Sequence, residues 1–216
     1  MKYILFDLDG TLTDPKEGIT KSFQYALKHM GIVEENLDAL EKVIGPPLKD
    51  SFVEFYGMKE DDALEAVEKY RERFKTIGMY ENEIFDGIKE MLEKLQKEGF
   101  LLAIASSKPT VFVEQICEHF EIKQYFHHIV GSFLDGRRGR KEEVVEEAIR
   151  EFHEKDLQKI IMVGDRKFDI TGAHQMGLKA IGVTFGYGGK EELEAAGADY
   201  IVDTVEGLER LLLAFK

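Results

Sequence analysis

Two aspartates two residues apart, Asp7 and Asp9, close an apolar run that begins at Tyr3 and stops at Gly10 and Thr11. Four successive apolar residues with aromatic and β-branched members, ended by a turn signal, predict a buried strand. Alternation along an extended chain sends Asp7 and Asp9 to the same side of it. Out of water and side by side, such carboxylates repel each other and lose hydration. A divalent cation resolves the conflict, and Mg²⁺ takes carboxylate and carbonyl oxygens. For a lone D-x-D the structural alternative is capping of a turn.

Two later stretches weigh against that alternative. Phe100–Ala105 is a second apolar run, and it ends in Ser106-Ser107-Lys108-Pro109. Ile160–Val163 is a third, ending in Gly164-Asp165-Arg166-Lys167-Phe168-Asp169. Three strands that each deliver an aspartate or a small hydroxyl at their ends point to one site. Asp7, Asp9 and Asp165 supply hard oxygen ligands for Mg²⁺, with Asp169 near enough to support them from behind. Such a metal neutralises phosphate oxygens and draws the group toward a carboxylate nucleophile. Aspartate forms acyl-phosphate intermediates. The Ser106 hydroxyl and the N–H groups of the helix after it suit an anion. A cation for the remaining phosphoryl oxygen is available at either Lys108 or Lys141.

The elements that must position these groups follow an α/β rhythm. After Asp14-Pro15, Ile19, Phe23, Leu27 and Met30 mark one helical face, which Gly31 ends. Ile44-Gly45-Pro46-Pro47-Leu48 is a stiff turn. Leu64, Val67, Tyr70, Phe74 and Ile77 form the apolar stripe of another helix. No strand is predicted from about Lys16 to Asn82, so residues 15–83 read as a helical block inserted after the first strand. From Asp86, taken as a helix N-cap, helices alternate with strands near 100–105, 128–131, 160–163, 180–183 and 200–202. Alternation of this kind predicts a doubly wound parallel sheet covered on both faces, whose ligands lie beyond the carboxyl ends of its strands. The expected domains are a core of residues 1–14 and 84–216 and a helical cap of residues 15–83.

Asp7-Leu8-Asp9-Gly10-Thr11-Leu12, Ser106 after its strand, a later lysine and Gly164-Asp165-x-x-x-Asp169 together resemble the haloacid dehalogenase superfamily. The helical insert resembles that superfamily's first cap type, and the chain is similar throughout to its phosphoglycolate phosphatase-like and nucleotidase-like hydrolases. The resemblance implies a nucleophilic Asp7, and an Asp9 that protonates the leaving oxygen and then activates water. It places Ser106 and Lys141 on the phosphoryl oxygens, with Gly10, Thr11 and Ser107 lining the phosphate site. It gives Mg²⁺ to Asp7, the Asp9 carbonyl and Asp165. Many relatives carry the lysine in a Lys-Pro-x-Pro context, where this chain reads Gly139-Arg140-Lys141-Glu142-Glu143. Superfamily members that cleave carbon–halogen bonds lack the second acid, so Asp9 favours phosphoryl transfer. A phosphosugar mutase shares this site, and a receiver-like signalling domain shares its acid pair but is shorter and lacks a cap.

The bulk numbers agree with a small-molecule enzyme. With 216 residues, 44% hydrophobic and 33% charged, the chain has material for one core and a smaller insert. A net charge of −13 argues against nucleic-acid and anionic-membrane partners. The expected partner is a small phosphorylated metabolite, with the protein a monomer or homodimer. The lone Cys117 sits among Phe112, Ile116 and Phe120 and reads as a buried thiol. No apolar leader or span is visible, so a cytoplasmic setting is expected. The six histidines show no ligand spacing, and the basic turn at Arg137, Arg138 and Arg140 reads as solvated. Gly186-Tyr187-Gly188-Gly189 is a loop near the active edge, without the Gly-Lys-Ser/Thr sequel of a phosphate-binding loop.

Overall fold

Unbroken apolar runs form strands covered on both faces, and amphipathic segments form the helices between them. In the computed structural model, which describes residues 2–215, the order is β1 (Tyr3–Phe6), β2 (Thr13–Asp14), α1 (Lys16–His29), α2 (Leu48–Tyr56), α3 (Glu60–Arg73) and β3 (Glu83–Ile84). Then follow α4 (Ile88–Lys97), β4 (Leu101–Pro109), α5 (Thr110–His119), β5 (His128–Ser132), α6 (Lys141–Phe152) and β6 (Ile160–Gly164). The chain finishes with α7 (Lys167–Gln175), β7 (Lys179–Val183), α8 (Gly189–Ala195), β8 (Tyr200–Val202) and α9 (Val205–Leu213).

Six of the strands make one parallel sheet in the order β5-β4-β1-β6-β7-β8. From β1 the chain works outward to β4 and β5, then returns to β6 and works outward the other way. The reversal lies between β1 and β6, where a doubly wound sheet opens a crevice at its carboxyl edge. Leu5, Ala103, Val130 and Met162 pack with Val144, Val145 and Ala148 of α6 and with Ile170 and Ala173 of α7. By alternation Ile4 and Phe6 serve the other face, and both are fully buried.

Pro15–Glu83 forms a compact unit of its own, and the chain before and after it forms the other. Within the insert, Phe23 stacks on Phe52 with ring centroids 4.0 Å apart, and Tyr70 stacks on Phe74 at 5.2 Å. Leu64 and Ile77 depart from the expected stripe, each being 52% exposed. The buried stripe of α3 runs through Ala63, Ala66, Val67 and Tyr70 to Phe74, one position out of phase with Leu64. At Phe74–Gly78 the helix widens into a π turn, and the changed pitch carries Ile77 off that stripe. Asp86 does not cap α4, because the chain enters it through Gly87 in a left-handed conformation (φ 84°).

Leu5 lies at the centre of the central strand with no exposure. Leu5→Ala should therefore lower unfolding stability by about 2–5 kcal/mol, measured as the shift of a urea transition.

Candidate active site

The site is built where β1 and β6 end side by side. The Asp7 N–H still donates to Val163 O at 2.9 Å, so Asp7 leaves the sheet in register with β6. Beyond it the chain turns tightly around Leu8 O, which accepts the N–H groups of Thr11, Leu12 and Thr13 at 3.2, 2.9 and 3.1 Å. Gly10 N donates to Thr13 O at 2.7 Å. Glycine is required at position 10 for two reasons. Its φ is +79°, and a Cβ there would lie 2.2 Å from Asp165 Oδ2.

Asp165 follows the last residue of β6 and is fully buried. Thr11 Oγ1 donates to its Oδ1 at 3.3 Å, and the Tyr187 N–H donates to its Oδ2 at 2.8 Å. Asp169, in the first turn of α7, is fully buried too, and its Oδ2 accepts the Arg166 N–H at 3.0 Å. Lys141, the first residue of α6, reaches in from below. Its Nζ donates to Ala105 O at 3.1 Å and lies 2.9 Å from Asp7 Oδ1 and 2.8 Å from Asp169 Oδ1. Neither carboxylate oxygen receives a well-aligned hydrogen bond, so this attraction is chiefly coulombic.

Electrostatics record the crowding. Burial, reinforced by Asp169 and Asp7, pushes the Asp165 carboxyl well above the usual range. Burial likewise raises Asp169 to about 6, against the opposing pull of Lys141. Burial also raises Asp9, with Lys108 opposing and Asp7 adding to it. For Lys141 burial works downward, but the charges of Asp169 and Asp7 outweigh it and hold the ammonium above the ordinary lysine value.

The structure brings together Asp7, Asp165 and Lys141, with Ser106 buried one residue beyond the Ala105 carbonyl that Lys141 grips. Asp169 lies as near as its neighbours: one oxygen of each of Asp7, Asp165 and Asp169 lies within 4.8 Å of the others. The Asp9 carboxylate lies outside that group and faces Lys108, whose Nζ donates to Oδ1 at 2.7 Å. Thr11 directs its hydroxyl to Asp165, and the Gly10 N–H is used within its own turn. The Ser107 carbonyl accepts the Ser132 hydroxyl at 2.8 Å. Arg138 is not a solvated turn residue: its Nε donates to Gly131 O at 2.9 Å, and its guanidinium lies 4.4 Å from the Phe133 ring centroid. Burial pushes the Cys117 thiol up to about 12, as expected of an inert core cysteine. Sequence reasoning missed the Asp9–Lys108 pair and the Tyr187 N–H. Its one signal for the second was the glycine-rich loop near the active edge.

The family model for haloacid dehalogenase-like hydrolases matches residues 4–183. The chain belongs to that family. It is an enzyme of the phosphatase kind found there. A 5′-nucleotidase of Pseudomonas aeruginosa is 46% identical over 97% of this haloacid dehalogenase-like chain and 94% of its own. The tyrosine-protein kinase PtkA of Mycobacterium tuberculosis is 38% identical over 86% of this chain, which spans 62% of that protein's length. A phosphoglycolate phosphatase of Vibrio parahaemolyticus is 28% identical over 96% of this chain and 94% of its own. A predicted phosphatase of Clostridium acetobutylicum has the same fold, with a TM-score of 0.96 and 49% identity over 99% and 98% of the two chains. Among the described residues no helix is long and apolar enough to cross a membrane.

The raised acid pKa values have a consequence with a definite sign. A folded state that holds protons more tightly than the unfolded one loses stability as pH rises from the unfolded value near 3.8. Asp165→Asn removes one titrating group from the crowd. In metal-free protein its melting temperature should exceed the wild type's by a margin that widens from pH 4 to pH 7. Thermal melts across that range check this, and an unchanged or inverted margin would contradict it.

Proposed function

We propose that the chain hydrolyses small phosphate monoesters through an aspartyl-phosphate formed on Asp7, with Mg²⁺ bound in the acidic group. One observation carries the reading: a buried trio of carboxylates has Asp7 as a member and Lys141 against it, with a second acid two residues on. The donor set fits the metal. It is all hard oxygen, with neither histidine nor thiolate among its ligands, and suits Mg²⁺ better than zinc. Asp7, the Asp9 carbonyl and Asp165 are assigned as the residues that would hold it, with Asp169 orienting Lys141. When bound, the metal supplies charge neutralisation on the phosphoryl oxygens.

The remaining work falls to the chain. In the first half-reaction an Asp7 carboxylate oxygen bonds to phosphorus while the ester P–O bond breaks. Protonated Asp9 gives its proton to the departing alkoxide, releasing an alcohol. In the second, ionised Asp9 takes a proton from water, whose oxygen bonds to phosphorus as the Asp7–phosphorus bond breaks. Inorganic phosphate leaves, and both aspartates return to their starting states. Lys141 and Ser106 hold phosphoryl oxygens throughout.

The relative named 5′-nucleotidase supports nucleoside 5′-monophosphates as the first substrate class to assay, and the phosphoglycolate phosphatase supports phosphoglycolate as the second. The insert, residues 15–83, is proposed as the cap that selects the rest of the substrate, because the strand ends hold groups suited to phosphate alone. Its stiffest turn leads from extended Ile44 through Gly45 and Pro46-Pro47 into α2.

A panel of phosphate monoesters assayed with Mg²⁺ and with EDTA tests the reading. Turnover should need the metal, and Asp7→Asn should lower it below detection. An Asp7→Asn protein with most of the wild-type rate would refute the covalent route. Replacing Pro46-Pro47 by Gly-Gly should change preference among natural esters more than hydrolysis of acetyl phosphate. Equal losses on both, with the fold intact, would make the turn structural.

A further inference from the structure

Lys108 is a buried cation to which the proposed reaction assigns no task. Its side chain is 7% exposed, and its Nζ lies 2.7 Å from Asp9 Oδ1 and 2.6 Å from Oδ2. One ammonium thus touches both oxygens of a carboxylate that is itself 11% exposed. Burying a long cationic side chain costs free energy unless a partner compensates it, so the pair is an arrangement the local backbone has to enforce.

The backbone does enforce it. Between the paired positions Ala105–Val130 and Pro109–Ser132, β4 has three residues where β5 has one. The surplus is a bulge at Ser106, Ser107 and Lys108, and bulges re-aim side chains beside active sites. Neighbouring groups hold the bulge in shape. Ser132 Oγ donates to Ser107 O at 2.8 Å, the Gly131 N–H donates to Thr110 Oγ1 at 3.0 Å, and the Lys108 N–H donates to Ser106 Oγ at 3.4 Å. Position 131 admits no side chain, since a Cβ there would lie 2.4 Å from Lys108 O. One bulge therefore fixes Ser106 and Lys108 together. The second lysine, Lys141, enters from another element and pairs with Asp7 and Asp169 instead.

We propose that Lys108 is a positioning residue for Asp9: the two-oxygen contact fixes the carboxylate so that it meets the leaving oxygen and then the attacking water. The proposal rests on the acid–base role given to Asp9 above. A lysine that acts only through Asp9 leaves substrate binding largely unaltered. It matters most where proton delivery matters most, with poor leaving groups, and misplacement of a reacting group by about 1 Å costs on the order of 100-fold in rate.

The test compares Lys108→Met, Lys108→Arg, Asp9→Asn and the Asp9→Asn/Lys108→Met double variant, each first shown to be folded by its thermal melt. Substrates are an alkyl phosphate and 4-nitrophenyl phosphate, with phosphoenzyme formation and breakdown followed separately. Lys108→Met should lower kcat for the alkyl ester by roughly 10- to 100-fold while KM moves by less than about 3-fold. With 4-nitrophenyl phosphate the phosphoenzyme should form at nearly the wild-type rate and accumulate. Lys108→Arg should recover part of the loss. In the Asp9→Asn background Lys108→Met should cause no further loss. A KM rise with the same loss for both esters would make Lys108 a phosphate contact and overturn the proposal. So would additive effects of the two substitutions, or a fully active Lys108→Met. If Asp9→Asn alone keeps wild-type activity, the acid–base reading itself fails, an outcome that the Lys108 variants cannot produce.

Discussion

Like charge held out of water is the constraint on which the rest of this molecule depends. Asp7, Asp165 and Asp169 converge at one buried point, and Lys141 is the cation set against two of them. With all three acids ionised, one ammonium leaves two negative charges in a medium that stabilises charge poorly. The site answers in two ways available to the protein alone. Asp165 and Asp169 are pushed toward their protonated forms, and N–H and hydroxyl donors from Thr11, Arg166 and Tyr187 are turned onto their oxygens. A divalent cation matches the residual charge, which is the physical content of the magnesium proposal.

Meeting that constraint shapes the backbone around it. The turn after Asp7 closes on a single carbonyl, Leu8 O, and needs a glycine next to Asp165. Tyr187 serves twice, giving its N–H to Asp165 and its hydroxyl to Asp14, the residue at which the chain leaves the core for the insert. Burial, with Asp14 accepting its hydrogen bond, holds the Tyr187 hydroxyl protonated beyond the ordinary tyrosine range. The two lysines divide the acids between them. Lys141, from a helix start, faces Asp7 and Asp169, while Lys108, from the strand bulge, faces Asp9. Two cations with separate partners keep neighbouring carboxylates distinct, which suits the proposed reaction, where Asp7 and Asp9 are given different tasks.

Sequence pattern carried the sheet and the acids because both are written locally. Unbroken apolar runs at 3–6, 100–105 and 160–163 leave few alternatives to buried strands, and a parallel sheet then gathers Asp7, Ser106 and Asp165 at one edge. Lys141 was legible as a residue opening a helix after a strand, although its surroundings depart from the pattern of many relatives. The partner of Lys108 was not legible, and the reason is geometric. A strand read by strict alternation has no bulge, and the two surplus residues of β4 become visible only against β5. Thr11 and Tyr187 escaped for a related reason. Their contacts to Asp165 span 154 and 22 residues and depend on where the turns at Gly10 and Gly186 bring the chain. Leu64 and Ile77 show the same limit inside the insert, where helical phase over one turn, and a π turn at its end, decide which of several apolar residues is covered. Local pattern identifies which residues can do chemistry here. Which cation sits on which acid is decided by packing between elements, and in this site that packing separates Asp9 from the trio two residues away.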